Sequence, residues 1–278
     1  MKPWKFVKDY WLDALALVIV GIFFIVPFIF IFLMASKTSQ EAALFKFSMP
    51  TEFRLFQNIS EVLAVGDGRM YRAFFNSSML TVGSVTLIVL FAALVAYVMQ
   101  RRNDRLAGAI NSILFAGLVL PAAVVPTIFF LQWLGIYKTI FSLILIEVAL
   151  TMPFATLILR AFIGTIPREI DEAAIMDGAS PLRYFFSVIV PLIWPAIVTV
   201  IVTSSVFIYN DFTNPLYFLP GNENVTVQLT LFGFMSQFNA QWNLLFADVV
   251  IITIPPLILF MFFQKQIVSG MTSGAVKG

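Results

Sequence analysis

Six stretches of about 20 or more mostly apolar residues leave this chain little choice of solvent or of secondary structure. The hydrocarbon core of a bilayer is about 30 Å thick and a helix rises about 1.5 Å per residue, so each stretch is long enough to cross. In lipid, backbone N–H and C=O groups must be satisfied within the spanning structure, and long apolar stretches meet that demand as helices. The spans are placed at Asp13 to Met34, Phe74 to Met99, Asn111 to Leu134, Thr139 to Ile163, Phe185 to Tyr209 and Leu244 to Phe263. The expected fold is an all-α polytopic membrane protein, one transmembrane domain over 1–278, with long external segments at 35–73 and 210–243 and a cytoplasmic loop at 164–183.

Composition removes most other functions. The chain is 60% hydrophobic and 12% charged, against roughly 25% charged in a soluble domain. A formal net charge of +2 gives no basic surface for nucleic acid. With no Cys and no His, disulfides, thiol nucleophiles, imidazole bases and the usual zinc sites are excluded. No Gly-x-x-x-x-Gly-Lys-Ser/Thr phosphate cradle occurs, so the chain is not expected to hydrolyse ATP, and because one isolated membrane carboxylate assembles no acid and base pair it is not expected to act as an enzyme.

Orientation follows from the cations, because basic loops stay on the cytoplasmic side. With the N-terminus inside, Lys2, Lys5, Lys8, Arg101, Arg102, Arg105, Arg160, Arg168, Arg183, Lys265 and Lys277 lie inside, and Lys37, Lys46, Arg54, Arg69, Arg72 and Lys138 outside. Both termini are then cytoplasmic. The first span is longer than the apolar core of a secretory signal and lacks a small-x-small cleavage site, so it is expected to be retained. Trp4, Trp11, Trp133 and Trp242 flank spans, where an amphipathic ring anchors at the interface. Pro27, Pro121, Pro126, Pro153, Pro255 and Pro256 interrupt spans. Kinks in a packed bundle and bent helices around a pathway both accommodate them.

The most informative stretch, Gly164 to Pro181, joins the fourth and fifth spans. Pro167 suits a first helical position, while Glu169, Asp171 and Glu172 suit the positive end of the dipole. Gly178 suits the left-handed position past the end. A helix from Pro167 to Asp177 is about 16 Å long. Ile166, Ile170, Ala173, Ala174 and Asp177 form one stripe whose centre is two alanines, so a partner can approach its backbone. A helix lying on the membrane surface is the competing reading.

Within that stretch Glu172-Ala173-Ala174, three residues, Gly178, nine residues and Val188-Ile189-Val190-Pro191 resemble the EAA loop of ABC importer permeases, EAA-x3-G-x9-I-x-L-P. Val188 and Val190 stand where that pattern has Ile and Leu, a conservative change. Asp177-Gly178-Ala179-Ser180-Pro181 is similar to the carbohydrate-uptake branch. Phe75-Asn76-Ser77, Tyr209-Asn210-Asp211-Phe212 and Gly274 to Gly278 are similar to the second permease subunit of maltose-type transporters. That family usually has Trp where this chain has Tyr209.

The resemblance implies a type I ABC importer permease. Two permeases form one pathway in a bacterial or archaeal cytoplasmic membrane, two ATPase subunits carrying ATP and Mg drive it, and an extracytoplasmic binding protein delivers a carbohydrate, an oligosaccharide or glycoside. The loop would be the coupling helix seated in an ATPase cleft, with Glu172, Ala173, Ala174, Asp177 and Gly178 as coupling residues. No cofactor is expected on this chain itself.

Glu147, flanked by apolar residues, is read as the single ionisable residue deep in a span. Contact with solute, a tether to the partner permease and a proton relay are its three readings; a secondary carrier using Glu147 for ion coupling is the rival for the whole chain. Tyr209, Asn210 and Asp211 are further candidates for the solute path, or caps of the fifth span. The external segment contains Pro215, Pro220, Gly221, Asn222 and Gly233 and reads as a structured loop. By the resemblance it would reach the binding protein, with Gly221, Gln228, Gln237 and Asn239 as docking candidates. Asn58-Ile59-Ser60, Asn76-Ser77-Ser78 and Asn224-Val225-Thr226 match glycosylation acceptors in form only.

Overall fold

Prolines set where the apolar stretches bend. In the computed structural model, which describes residues 3–66, 68–221, 223–235 and 240–275, the helices in chain order are α1 Pro3–Val20, α2 Val26–Ala35, α3 Ser39–Ala42, α4 Leu55–Ala64, α5 Arg69–Arg101, α6 Arg105–Val119, α7 Val124–Trp133, α8 Ile140–Ile163, α9 Glu169–Met176, α10 Pro181–Tyr184, α11 Val190–Leu192, α12 Trp194–Tyr209, α13 Thr213–Phe218, α14 Val227–Thr230 and α15 Trp242–Ala275. Pro27 cannot donate an N–H to the turn before it, and that turn, Gly21–Ile25, is widened into a π-helix. Pro191 follows a second such turn, Phe185–Ile189.

Among the described residues, four stretches are each long and apolar enough to cross a bilayer unaided: Trp11–Ala35, Arg69–Arg101, Ile140–Ile163 and Trp242–Gln264. The third and fifth expected spans are not single helices. α6 and α7 meet at 117°, and Pro181–Leu192 meets α12 at 77°, so six spans are reached only if each bent pair is one span. The first break follows from Pro121, which pushes Leu120 into the extended region (ψ 130°). At the second, Ile193 leaves helical geometry (ψ 9°) between Pro191 and Pro195. At the start of α6, the Asp104 carboxylate accepts the Ala107 N–H at 2.9 Å. That bond and the neighbouring Arg102 hold the carboxyl below its usual range.

The chain divides into two compact units, residues 1–71 with 230–254 and residues 72–229 with 255–278. In the first, Asn58 on α4 donates to the carbonyls of Ala35 (2.8 Å) and Lys37 (2.9 Å) and accepts from Asn243 (3.0 Å). The buried Lys37 ammonium is held by the Lys46 carbonyl at 2.6 Å and by Ser48 at 3.3 Å. The second unit packs around Ile88, Leu143, Leu159, Ile163, Ile189 and Ile193. There α5 and α8 touch so closely at Gly83 that a Cβ would lie 2.8 Å from the Ile144 side chain.

Asp248 corrects the reading of Glu147 as the sole deep acid. It lies in α15, fully buried, and its Oδ2 accepts the Thr230 hydroxyl at 2.8 Å with the Arg69 charge nearby. The sequence already places it inside the sixth span.

Candidate functional site

The loop between α8 and α10 folds as expected in kind and is shorter than expected. α9 begins at Glu169, so Pro167 lies ahead of the helix, and its eight residues make about 12 Å. Gly178 takes φ +70°, the left-handed conformation that closes the helix.

The stripe of small and apolar residues divides differently from expectation. Ile166, Ile170 and Ala174 pack against the core of their own unit. Glu172, Ala173, Asp177 and Gly178 face outward. Beside them stand Ile175, 72% exposed, and Met176, 86% exposed. Periodicity identified a shared face and not what covers it, and it passed over these two apolar residues. Their signal was their place on the polar side of the stripe.

Asp171 fixes α9 to the bundle. Its carboxylate pairs with Arg101 Nε at 2.7 Å and accepts the Tyr184 hydroxyl. The Arg101 guanidinium also donates to the Ile166 carbonyl at 3.3 Å from each terminal nitrogen. One arginine at the end of α5 thus grips both ends of the turn that leads into α9, while Tyr184 ties α9 to α10. Such an ion pair with a forked donor holds geometry as well as charge. The helix is therefore clamped on its inner side and bare on its outer side.

At the other end of the same unit, Glu147 is fully buried on α8. Its Oε1 accepts from Asn214 Nδ2 at 3.1 Å, and Asn214 joins it to Asp211. Asp211 also receives the N–H groups of Thr213 (2.8 Å) and Asn214 (3.3 Å), which starts α13. Asn210 ends α12, its amide donating to the Val206 carbonyl at 2.9 Å. Tyr209 is buried against a small cavity of about 50 Å³ shared with Pro255 and Pro256.

A recess of about 380 Å³ opens beside this cluster between α8, α12 and α13. Thr151, Thr203, Ser204 and Asn214 supply hydroxyl and amide groups, and Phe154 and Phe207 supply ring faces. None of the four expected path residues lines it. Asn214, which the sequence reading missed, connects the buried cluster to the recess.

In the segment 210–243 Gln228 is engaged, donating to Asn210 Oδ1 at 3.2 Å. Asn224 donates to the Lys138 carbonyl at 2.7 Å, Asn76 to the Val225 carbonyl at 3.0 Å, and the Val227 N–H to Ser77 at 3.0 Å. The loop is thus pinned to α5 and to the turn ahead of α8. Gly221 is exposed with φ +114°. Gln237 and Asn239 lie outside the described residues.

Comparisons with known proteins identify the family. Residues 88–273 match the family model for "Binding-protein-dependent transport system inner membrane component". The melibiose/raffinose/stachyose import permease protein MelC of Bacillus subtilis is 32% identical over 80% of this chain and 81% of its own length. The diacetylchitobiose uptake system permease protein NgcG of Streptomyces coelicolor is 28% identical over 94% of this chain and 87% of its own. A chain of a bacterial ABC transporter involved in the import of the acidic polysaccharide alginate has the same fold, with a TM-score of 0.77 at 21% identity over 94% of this chain and 95% of that one. Ion-coupled carriage through Glu147 is left without support. With its broken apolar spans and its clamped loop helix, the chain belongs to the family of binding-protein-dependent transport system inner membrane components.

Proposed function

We propose that this chain is one of two permease subunits of an ATP-driven carbohydrate importer, and that α9 is the handle by which an ATPase subunit moves it. The observation that carries this reading is the division of α9 into an inner face tied through Asp171 to Arg101 and Tyr184 and an outer face of Ala173, Ile175 and Met176. Exposed apolar side chains next to a backbone made approachable by alanine fit a protein cleft. ATP and Mg²⁺ belong to two separate ATPase subunits. An extracytoplasmic binding protein delivers the solute, and both termini lie in the cytoplasm of a bacterial or archaeal cell.

The sugar relatives support an oligosaccharide or glycoside as solute. The recess between α8, α12 and α13 has the matching chemistry, because hydroxyls and an amide exchange hydrogen bonds with sugar hydroxyls while Phe154 and Phe207 cover apolar ring faces. Glu147 and Asp211 serve it from behind by positioning Asn214.

Two substitutions test the handle. The double variant Ile175→Glu with Met176→Glu is expected to lose copurification with the ATPase subunit while the permease pair stays intact in size-exclusion chromatography. Retention of the ATPase would refute the assignment. For Gly178→Asp, nothing lies within 4 Å of an added Cβ, and Asp is among the residues that tolerate positive φ. The fold is expected to survive at a cost of about 1 kcal/mol, with uptake uncoupled from ATP hydrolysis. Normal solute uptake by this variant in proteoliposomes would contradict the reading.

A further inference from the structure

We propose that Glu147 and Asp211 hold a single proton between them, and that this proton locks α8 to the turn joining α12 and α13 and so sets Asn214 in the recess. The argument starts from an inventory of donors. Glu147 Oε1 is served by Asn214 Nδ2, and Asp211 Oδ1 by the N–H groups of Thr213 and Asn214. The remaining oxygens, Glu147 Oε2 and Asp211 Oδ2, are both buried and both lack a partner. Asn214 bridges the two carboxyl groups, donating its side-chain N–H to Glu147 and its backbone N–H to Asp211, which sets the two acids side by side. Two bare carboxylate oxygens in that position repel, whereas one proton turns one of them into an O–H donor and satisfies both.

No cation of α8, α12 or α13 lies beside the pair, and the cations of α5 and α6 in this unit, Arg72, Arg101 and Arg105, stand in the first or last turns of their helices. α12 and α13 contain no Lys or Arg. The only cation of α8 is Arg160, thirteen residues on and about 20 Å away along the helix. There its guanidinium is occupied by Gln100 and Asn111. Lys138, ahead of α8, lies over the Tyr137 ring at 5.8 Å. The remaining acid of this external segment, Glu223, is exposed. Two full negative charges held side by side in a buried site repel strongly.

The consequence is a pH-sensitive catch. While the proton is bound, Asp211 starts α13 and Glu147 holds Asn214 by its amide. When it leaves, repulsion separates α8 from the α12–α13 turn and Asn214 loses its place. The sign is fixed: the catch is closed while the proton is held and opens when rising pH removes it. Its effect on transport rests on the solute-path reading of the recess, whereas the shared proton itself does not.

The test uses the intact transporter in lipid nanodiscs. Infrared difference spectra against wild type at neutral pH isolate the carbonyl band of a protonated carboxylic acid. Glu147→Gln and Asp211→Asn are each expected to remove one and the same band, and the double variant no more than either alone. An unchanged band in either single variant, or loss of two bands in the double variant, would overturn the shared proton. Uptake is then followed against pH. Glu147→Gln places an N–H where the proton was, so its uptake should stay flat where that of wild type falls at alkaline pH. If the infrared result holds while both proteins show the same pH profile, the proton stands and the recess is not the solute path.

Discussion

Replacing Arg101 by alanine is expected to leave an assembled transporter that hydrolyses ATP and imports almost nothing. Arg101 is the sole cation paired with Asp171 among the described residues, and it also donates twice to the Ile166 carbonyl. Breaking a buried ion pair from one side costs about 3–5 kcal/mol. Here the side chains are still 14% and 17% exposed, so water recovers part of that and about 2 kcal/mol is the better figure. That energy is a factor of roughly 30 in the equilibrium between a docked and a loosened α9. On the proposed handle reading, a loosened α9 would follow an ATPase subunit without moving α5, so hydrolysis continues and transport does not follow. Arg101→Lys keeps the charge and loses the fork, and should fall between wild type and alanine. Proteoliposome uptake per ATP hydrolysed is the measurement. A wild-type ratio in Arg101→Ala would mean that force reaches the spans by another route.

The clamp was beyond the sequence for a definite reason. Asp171 was legible as a residue suited to a helix start, but its partner sits seventy positions earlier at the end of another helix, and no spacing rule connects them. The stripe on α9 was legible as a stripe, and Ile166, Ile170 and Ala174 do share a buried face. Which side met the bundle was not, because a hydrophobic pattern does not distinguish a chain's own core from a partner. The apolar lengths of the spans were legible throughout. The bends at Pro121 and Ile193 were only half so, since proline marks a place where a helix can break and the packing around it sets the angle. Glu147 was singled out by its apolar neighbours, yet the residue it positions, Asn214, looked like ordinary loop.

Asn58→Ala is expected to destabilise the first unit by about 3 kcal/mol. Asn58 is 1% exposed, and both hydrogens of its amide are used, on the carbonyls of Ala35 and Lys37, while its oxygen takes an Asn243 N–H. Alanine strands two carbonyls and one amide hydrogen in a place water does not reach, and each stranded group costs about 1 kcal/mol or more. The nearly isosteric Asn58→Asp should do no better, because a carboxylate can accept from Asn243 but turns acceptor against acceptor at both carbonyls. The neighbouring Gln57, exposed on the same helix, serves as the control, with Gln57→Ala close to wild type. Thermal unfolding of the purified protein in detergent reads the difference as a drop of about 5–10 °C in Tm. Equal melting of Asn58→Ala and Gln57→Ala would show that the corner closing the first apolar helix is held by packing alone. The same burial explains why the Asn58-Ile59-Ser60 acceptor pattern has no chemical meaning here: an amide that ties α2 to α4 presents no nitrogen to a modifying enzyme.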